Sequence, residues 1–110
     1  MEKCLERFVE RAEGKKHLYE LTKMNSIALT AETTTGDFTI FFENKRVSLR
    51  PGLLDSAAVT LKGNIGVILA LLDGKLKLRE AVRRNFLDVR GNFRAILLAE
   101  SFLYLNREDE

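Results

Sequence analysis

Ile27-Ala28-Leu29-Thr30-Ala31-Glu32-Thr33-Thr34-Thr35-Gly36-Asp37-Phe38-Thr39-Ile40-Phe41-Phe42-Glu43 is where the apolar period of this chain drops from a helical repeat to two. Ile27, Leu29 and Ala31 alternate with Ala28, Thr30 and Glu32, and the β-branched run continues through Thr33 to Thr35. Thr35-Gly36-Asp37 supplies a tight turn, after which Phe38, Ile40 and Phe42 alternate with Thr39, Phe41 and Glu43. Asn44-Lys45 marks a second turn into Val47 and Leu49, stopped at Pro51-Gly52. Three strands joined by short turns predict an antiparallel meander. Phe41 lies on the opposite face from Phe38, Ile40 and Phe42, which implies cover on both sides of the middle strand or an edge contact.

On the N-terminal side of this meander the period is helical. Leu5, Phe8, Val9 and Ala12 repeat at i, i+3, i+4 and i+7, predicting a helix over residues 2–13 that ends at Gly14. A second helical stretch, Lys16 to Met24, carries Leu18 and Leu21 on one side, and Asn25-Ser26 break it. On the C-terminal side, the loop Leu53 to Ser56 opens a fourth strand through Ala57, Val59 and Leu61. Asn64 is a suitable N-cap for a helix whose Ile65, Ile68, Leu69 and Leu72 face inward up to Gly74. A short helix over Leu78 to Arg84 is expected to turn Leu78, Ala81 and Val82 inward, and Leu87 and Val89 form a brief fifth strand closed by Gly91. Asn92 then caps a last helix, Phe93 to Leu105. The plan is α+β: a mainly antiparallel five-stranded sheet with helices packed on one face.

The last helix carries a surplus. Only Arg94, Glu100 and Ser101 interrupt its apolar residues, and a helix apolar all round needs cover on more than one side. Its 13 residues reach roughly 20 Å, short of the ~30 Å bilayer core, so it does not span a membrane. The cover is therefore the rest of the fold, a second copy of the chain, or a bound apolar molecule.

Composition narrows the function. A chain of 110 residues, 45% hydrophobic and 31% charged, is expected to form one soluble globular domain over residues 1–110. The formal charge of +2 is small and mixed; Lys15-Lys16 and Arg83-Arg84 both lie near acidic residues, which argues for a solvated surface and against nucleic acid. An RNA platform needs exposed aromatics interleaved with arginine, and the meander offers Phe41 alone. Cys4 is the only cysteine, so no internal disulfide forms and the cytoplasm is the expected location. The charged Glu2-Lys3 start is unlike a signal peptide, and no lipidation motif is visible.

Catalytic constellations are missing from the pattern. His17 stands on a charged helix without a partner at ligand spacing, so neither a metal site nor a cofactor is expected. Cys4 reads as an inert, at least half-buried thiol. Gly63-Asn64-Ile65-Gly66 lacks the lysine and hydroxyl of a phosphate loop and the third glycine of a dinucleotide site. Asp37 and Asp55 sit where carboxylates shape turns. No enzyme activity is expected.

From Val59 onward the order of motifs is distinctive: Val59-Thr60-Leu61, then Ile68-Leu69-Ala70-Leu71-Leu72, Gly74-Lys75-Leu76, a short helix through Ala81, and Leu87-Asp88-Val89-Arg90-Gly91-Asn92 before the terminal helix. This order, with the meander before it, resembles the SCP-2 (sterol carrier protein 2) family of lipid-binding domains over about 90 residues. Two positions depart from the family pattern: the Leu61–Leu69 segment contains glycine where an acidic cap cluster is common, and Asn85 stands where a glycine commonly precedes the last strand. The resemblance implies non-catalytic binding or carriage of a lipid, such as a fatty acyl group, in an apolar tunnel between sheet and helices. On that reading Phe8, Phe38, Ile40, Phe42, Ile68, Leu72, Val89, Phe93, Ile96, Leu97 and Phe102 are expected to line it. Arg90, Arg94 and the amides that follow Asn92 are candidates for a head group.

Energetics make this plausible without special polar chemistry. Each buried methylene contributes about 0.8 kcal/mol, so a 14-carbon tail offers on the order of 10 kcal/mol gross. Association costs remove several kcal/mol, which leaves micromolar affinity in reach. The alternative expectation is an interaction module of the same fold with a filled core, forming a homodimer through Leu98, Phe102 and Tyr104. Transient contact with a membrane surface is compatible with either.

Overall fold

The computed structural model describes residues 2–44 and 46–107. Two helices, α1 (Glu2–Glu13) and α2 (Lys16–Met24), precede the meander β1 (Ile27–Thr33), β2 (Gly36–Glu43) and β3 (Arg46–Pro51). Then come β4 (Val59–Gly63), α3 (Ile65–Leu72), α4 (Leu78–Arg83), β5 (Leu87–Arg90) and α5 (Phe93–Leu105). The α+β plan holds, and the five strands form one mixed, mostly antiparallel sheet ordered β3-β2-β1-β4-β5.

The meander pairs as its alternation requires. Leu29 opposes Ile40, Ala31 opposes Phe38 and Ile27 opposes Phe42, while Val47 and Leu49 oppose Phe42 and Ile40 on the other side. The β1–β2 turn falls one residue earlier than expected, at Thr34-Thr35, because Thr33 already pairs with Gly36. Asp37 accepts from the Thr33 amide at 3.3 Å and so shapes this turn. Of the second turn, Asn44 adopts φ 49°, and Lys45 lies outside the described residues.

The sequence pattern does not disclose that β4 runs parallel to β1, with Leu29 beside Val59 and Ala31 beside Leu61. The 52–58 connection makes this pairing by crossing the helix-free face of the sheet. There, Thr30 and Thr39 are buried with their hydroxyls 2.7 Å apart. Thr39 donates to the Gly52 carbonyl at 2.9 Å, and the Leu54 amide donates to Thr30 at 3.1 Å. Those hydroxyls supply the crossing backbone with partners it would otherwise lack under cover. Phe41, on this same face, is half-buried beneath the Arg50 guanidinium, 5.5 Å from its ring centroid.

The opposite face carries the core. Leu29, Ala31, Phe38, Ile40, Phe42, Val59 and Leu61 are all buried under the helices. Leu5, Phe8 and Ala12 of α1 and Leu18 of α2 join them. Three rings tie the layers together: Phe8 meets Phe42 edge-on at 6.2 Å, and Phe102 lies stacked on Phe42 at 4.6 Å. Both departures from the family pattern have physical substitutes. Asn64 caps α3 by accepting from the Gly66 amide at 2.7 Å, and Asn85 takes φ 58°, a left-handed conformation that asparagine tolerates better than most side chains.

Candidate functional site

At the base of the α3–α4–α5 corner a polar clamp ties the ends of α3 and α5 to α1. Arg11 reaches from α1 and donates to the Leu72 carbonyl (2.8 Å) at the end of α3 and to the Asn106 carbonyl (2.7 Å) at the end of α5. Carbonyl ends of helices favour a cation, so one guanidinium anchors both. Asn106, fully buried, donates to the Phe8 carbonyl at 2.9 Å. Asp73 lies 3.9 Å from Arg11, and the Cys4 thiol is aimed at its carboxylate at 3.6 Å. Burial first, and then the Asp73 charge, push the Cys4 thiol above its ordinary value, which disfavours the thiolate. Gly74 follows with φ +78°, and a Cβ there would stand 2.2 Å from that of Arg107. Only glycine lets the chain turn so close under α5.

From this base α4 and α5 form two arms with a cleft of about 920 Å³ between them. Its floor is leucine: Leu71 from α3, Leu78 from α4 and Leu103 from α5, extended by Leu21, Leu76 and Leu105. Its rim is charged. Arg79 binds Glu100 across the arms at 3.2 Å and also donates its backbone amide to that carboxylate. Glu80 pairs with Arg83 and Arg84, and the Arg83 hydrogen bond chiefly holds its carboxyl below the usual range. Arg107 stacks over the Tyr104 ring at 4.0 Å. With Lys77, the rim presents four cations to two carboxylates. An apolar floor under a basic rim suits an amphipathic anion, with its chain below and its acid group above. Among the described residues no cluster of His, Cys, Asp or Glu could hold a metal ion.

The residues expected to line a tunnel sit elsewhere. Phe8, Phe38, Ile40, Phe42, Ile68, Leu72 and Phe102 are buried together behind the cleft floor, and none of them lines the cleft. Val89 and Ile96 are half-buried against the same core. Phe93 and Leu97 face outward, 77% and 40% exposed. Arg90 extends from β5 on the helix-free face, 3.5 Å from Asp88 beside a small hollow with Glu32, Thr60 and Lys62. Arg94 is exposed on the first turn of α5, where the Asn92 side chain already takes the Ala95 amide at 2.8 Å. The structure thus brings the aromatic set together as core and places neither arginine on the cleft.

Two expectations are corrected. Val82 is not inward but 42% exposed, because the six-residue α4 docks only its Leu78–Ala81 edge. Phe102 cannot serve a surface contact between copies, since it is 0% exposed on Phe42, although Tyr104 is exposed. Sequence reading assigned none of the cleft lining to a site: the floor leucines Leu21, Leu71, Leu76, Leu78, Leu103 and Leu105 and the rim cations were all missed. The one signal was the apolar surplus of α5, which bears on Leu103 and Leu105 and marks a flank without saying which elements stand beside it.

Comparison with known proteins agrees with this architecture. The SCP-2 sterol transfer family model matches residues 2–103. A sec-alkylsulfatase from Pseudomonas sp. shares the fold over 84% of this chain and 14% of its own, at TM-score 0.68 and 17% identity. Sterol carrier protein 2 from Yarrowia lipolytica matches over 94% and 89% of the two chains at 0.63 and 16% identity. The sterol carrier protein-2 like-3 of Aedes aegypti matches over 91% and 92% at 0.67 and 11% identity. This chain therefore spans about one seventh of the sulfatase and most of each carrier protein. No curated protein matches by sequence search. The chain belongs to the SCP-2 sterol transfer family.

Proposed function

We propose that this member of the SCP-2 sterol transfer family binds a lipid without catalysis, holding the apolar chain in the α4–α5 cleft. The cleft itself carries this reading: about 920 Å³ of space over a leucine floor, with Lys77, Arg79, Arg83 and Arg107 at its edge. A fatty acyl group with an acidic head satisfies both surfaces at once. The solved carriers named for sterol share the fold, and that supports an apolar ligand while leaving the choice of ligand to the cleft. Phe42, Phe102 and their buried neighbours act here as the rigid back wall.

Ser101 offers a clean test, because it lines the cleft yet is exposed and outside the core. Titration of the delipidated protein with a fluorescent fatty acid should show saturable micromolar binding. Ser101→Trp, which fills the cleft, should weaken it at least tenfold with thermal stability unchanged. Saturable binding unaffected by Ser101→Trp rules out the cleft, and no saturable uptake of any acyl probe rules out the function.

A further inference from the structure

We infer that Glu100 is the resting counter-ion of Arg79 and that the acid group of a bound lipid displaces it, so this one pair sets the head-group preference of the cleft. The inference rests on the reading of the cleft as a lipid site and names the residues that choose its ligand. Both members line the cleft, Arg79 on α4 and Glu100 on α5, and their bond crosses from one arm to the other. Glu100 accepts twice from one residue, from the Arg79 guanidinium and from its backbone amide, each at 3.2 Å. The other rim carboxylate is committed differently: Glu80 pairs with Arg83 and Arg84 on its own arm. Loading the cleft therefore disturbs Glu100 and leaves Glu80 in place.

A charged head and a neutral one meet this bridge differently. The Arg79 side chain is 74% exposed and that of Glu100 27%, and an ion pair so open to water exchanges partners at little cost. A carboxylate or phosphate of the ligand offers Arg79 an equivalent charged partner and repels Glu100, whose side chain turns out to solvent. A neutral head offers no such exchange, and the bridge persists. Glu100 also has a structural duty. Lys77, at the N-cap of α4, makes no side-chain cap bond, and the Glu100 carboxylate takes the Arg79 amide instead. That duty needs an acceptor oxygen but no charge, so a glutamine retains it. Glu100→Gln thus removes the counter-ion and keeps the cap.

The experiment is calorimetric titration of the delipidated full chain with dodecanoic acid, dodecyl phosphate and dodecanol. Glu100→Gln should tighten both acids about fivefold, the scale of one open ion pair, and shift dodecanol by less than about twofold. Arg79→Gln should weaken both acids at least about tenfold, the scale of a lost charged hydrogen bond. Glu80→Gln removes the same charge from the rim and should tighten the acids less than Glu100→Gln does. Tightening of one acid alone supports the exchange and identifies the head group, carboxylate or phosphate, that takes part in it. Equal shifts for the acids and dodecanol, or equal gains from Glu80→Gln and Glu100→Gln, overturn the proposal. So does acid affinity unaffected by Glu100→Gln or by Arg79→Gln. A parent chain that takes up dodecanol but neither acid overturns the head-group exchange alone, whereas uptake of none of the three removes the lipid reading with it.

Discussion

Helices α3 and α5 both carry more apolar side chains than one stripe needs, but they end in different surroundings. Every large apolar residue of α3 is buried or half-buried, because α1, the sheet and the cleft floor close around it. In α5 only the Ala95, Ala99, Phe102 and Leu103 side is enclosed, while Phe93, Leu97 and Tyr104 stand exposed. Surplus apolar surface is therefore not in itself the mark of a binding site. What marks one is a surplus that the chain's own elements leave uncovered, beside a space with a suitable rim.

The sharpest way to break this comparison is to truncate one ring on each flank of α5. Phe102→Ala removes the ring stacked on Phe42 and should cost about 3–5 kcal/mol in urea unfolding. Phe93→Ala should stay within about 0.5 kcal/mol, the usual range for a surface change. Equal costs would mean that the two flanks do not differ.

A smaller effect is expected at the clamp that joins the ends of the two helices. Arg11→Ala leaves the Leu72 and Asn106 carbonyls without their shared donor and should cost about 2–3 kcal/mol. Hydrogen exchange should then quicken at the last turns of α3 and α5 together. Faster exchange in one helix alone would show that the clamp serves only that helix.

The smallest effect belongs to the rim. The Glu80 carboxyl is held below its ordinary value of 4.5 chiefly by Arg83, so its contribution is present above that pH and lost as pH falls through the folded-state value. Glu80→Gln should lower the melting temperature slightly at neutral pH, with the gap closing in acid. A gap that widens in acid would reverse the sign assigned to this pair.

Much of the architecture was legible from period alone. Alternation at Ile27–Ala31 and Phe38–Phe42 can bury one face only if those segments are strands, and Asn64 and Asn92 both cap helices as expected. The parallel β1–β4 pairing was not legible, since it depends on Thr30 and Thr39 meeting the 52–58 connection across the sheet. The aromatic positions were legible as apolar. Whether they pack on one another or border a void depends on ring contacts such as Phe42 on Phe102. The cleft was hidden for the same reason: Leu21, Leu76 and Leu105 are far apart in the chain and ordinary one by one.

Local pattern alone determined the helices, the strands, the inward faces and the family likeness, because period and capping act between near neighbours. Tertiary structure decided which oily flank stays open, where the cations gather around it and which aromatics are sealed inside. Those outcomes depend on elements distant in the chain meeting at one corner, held there by Arg11, Asn106 and a glycine too close to Arg107 to carry a side chain.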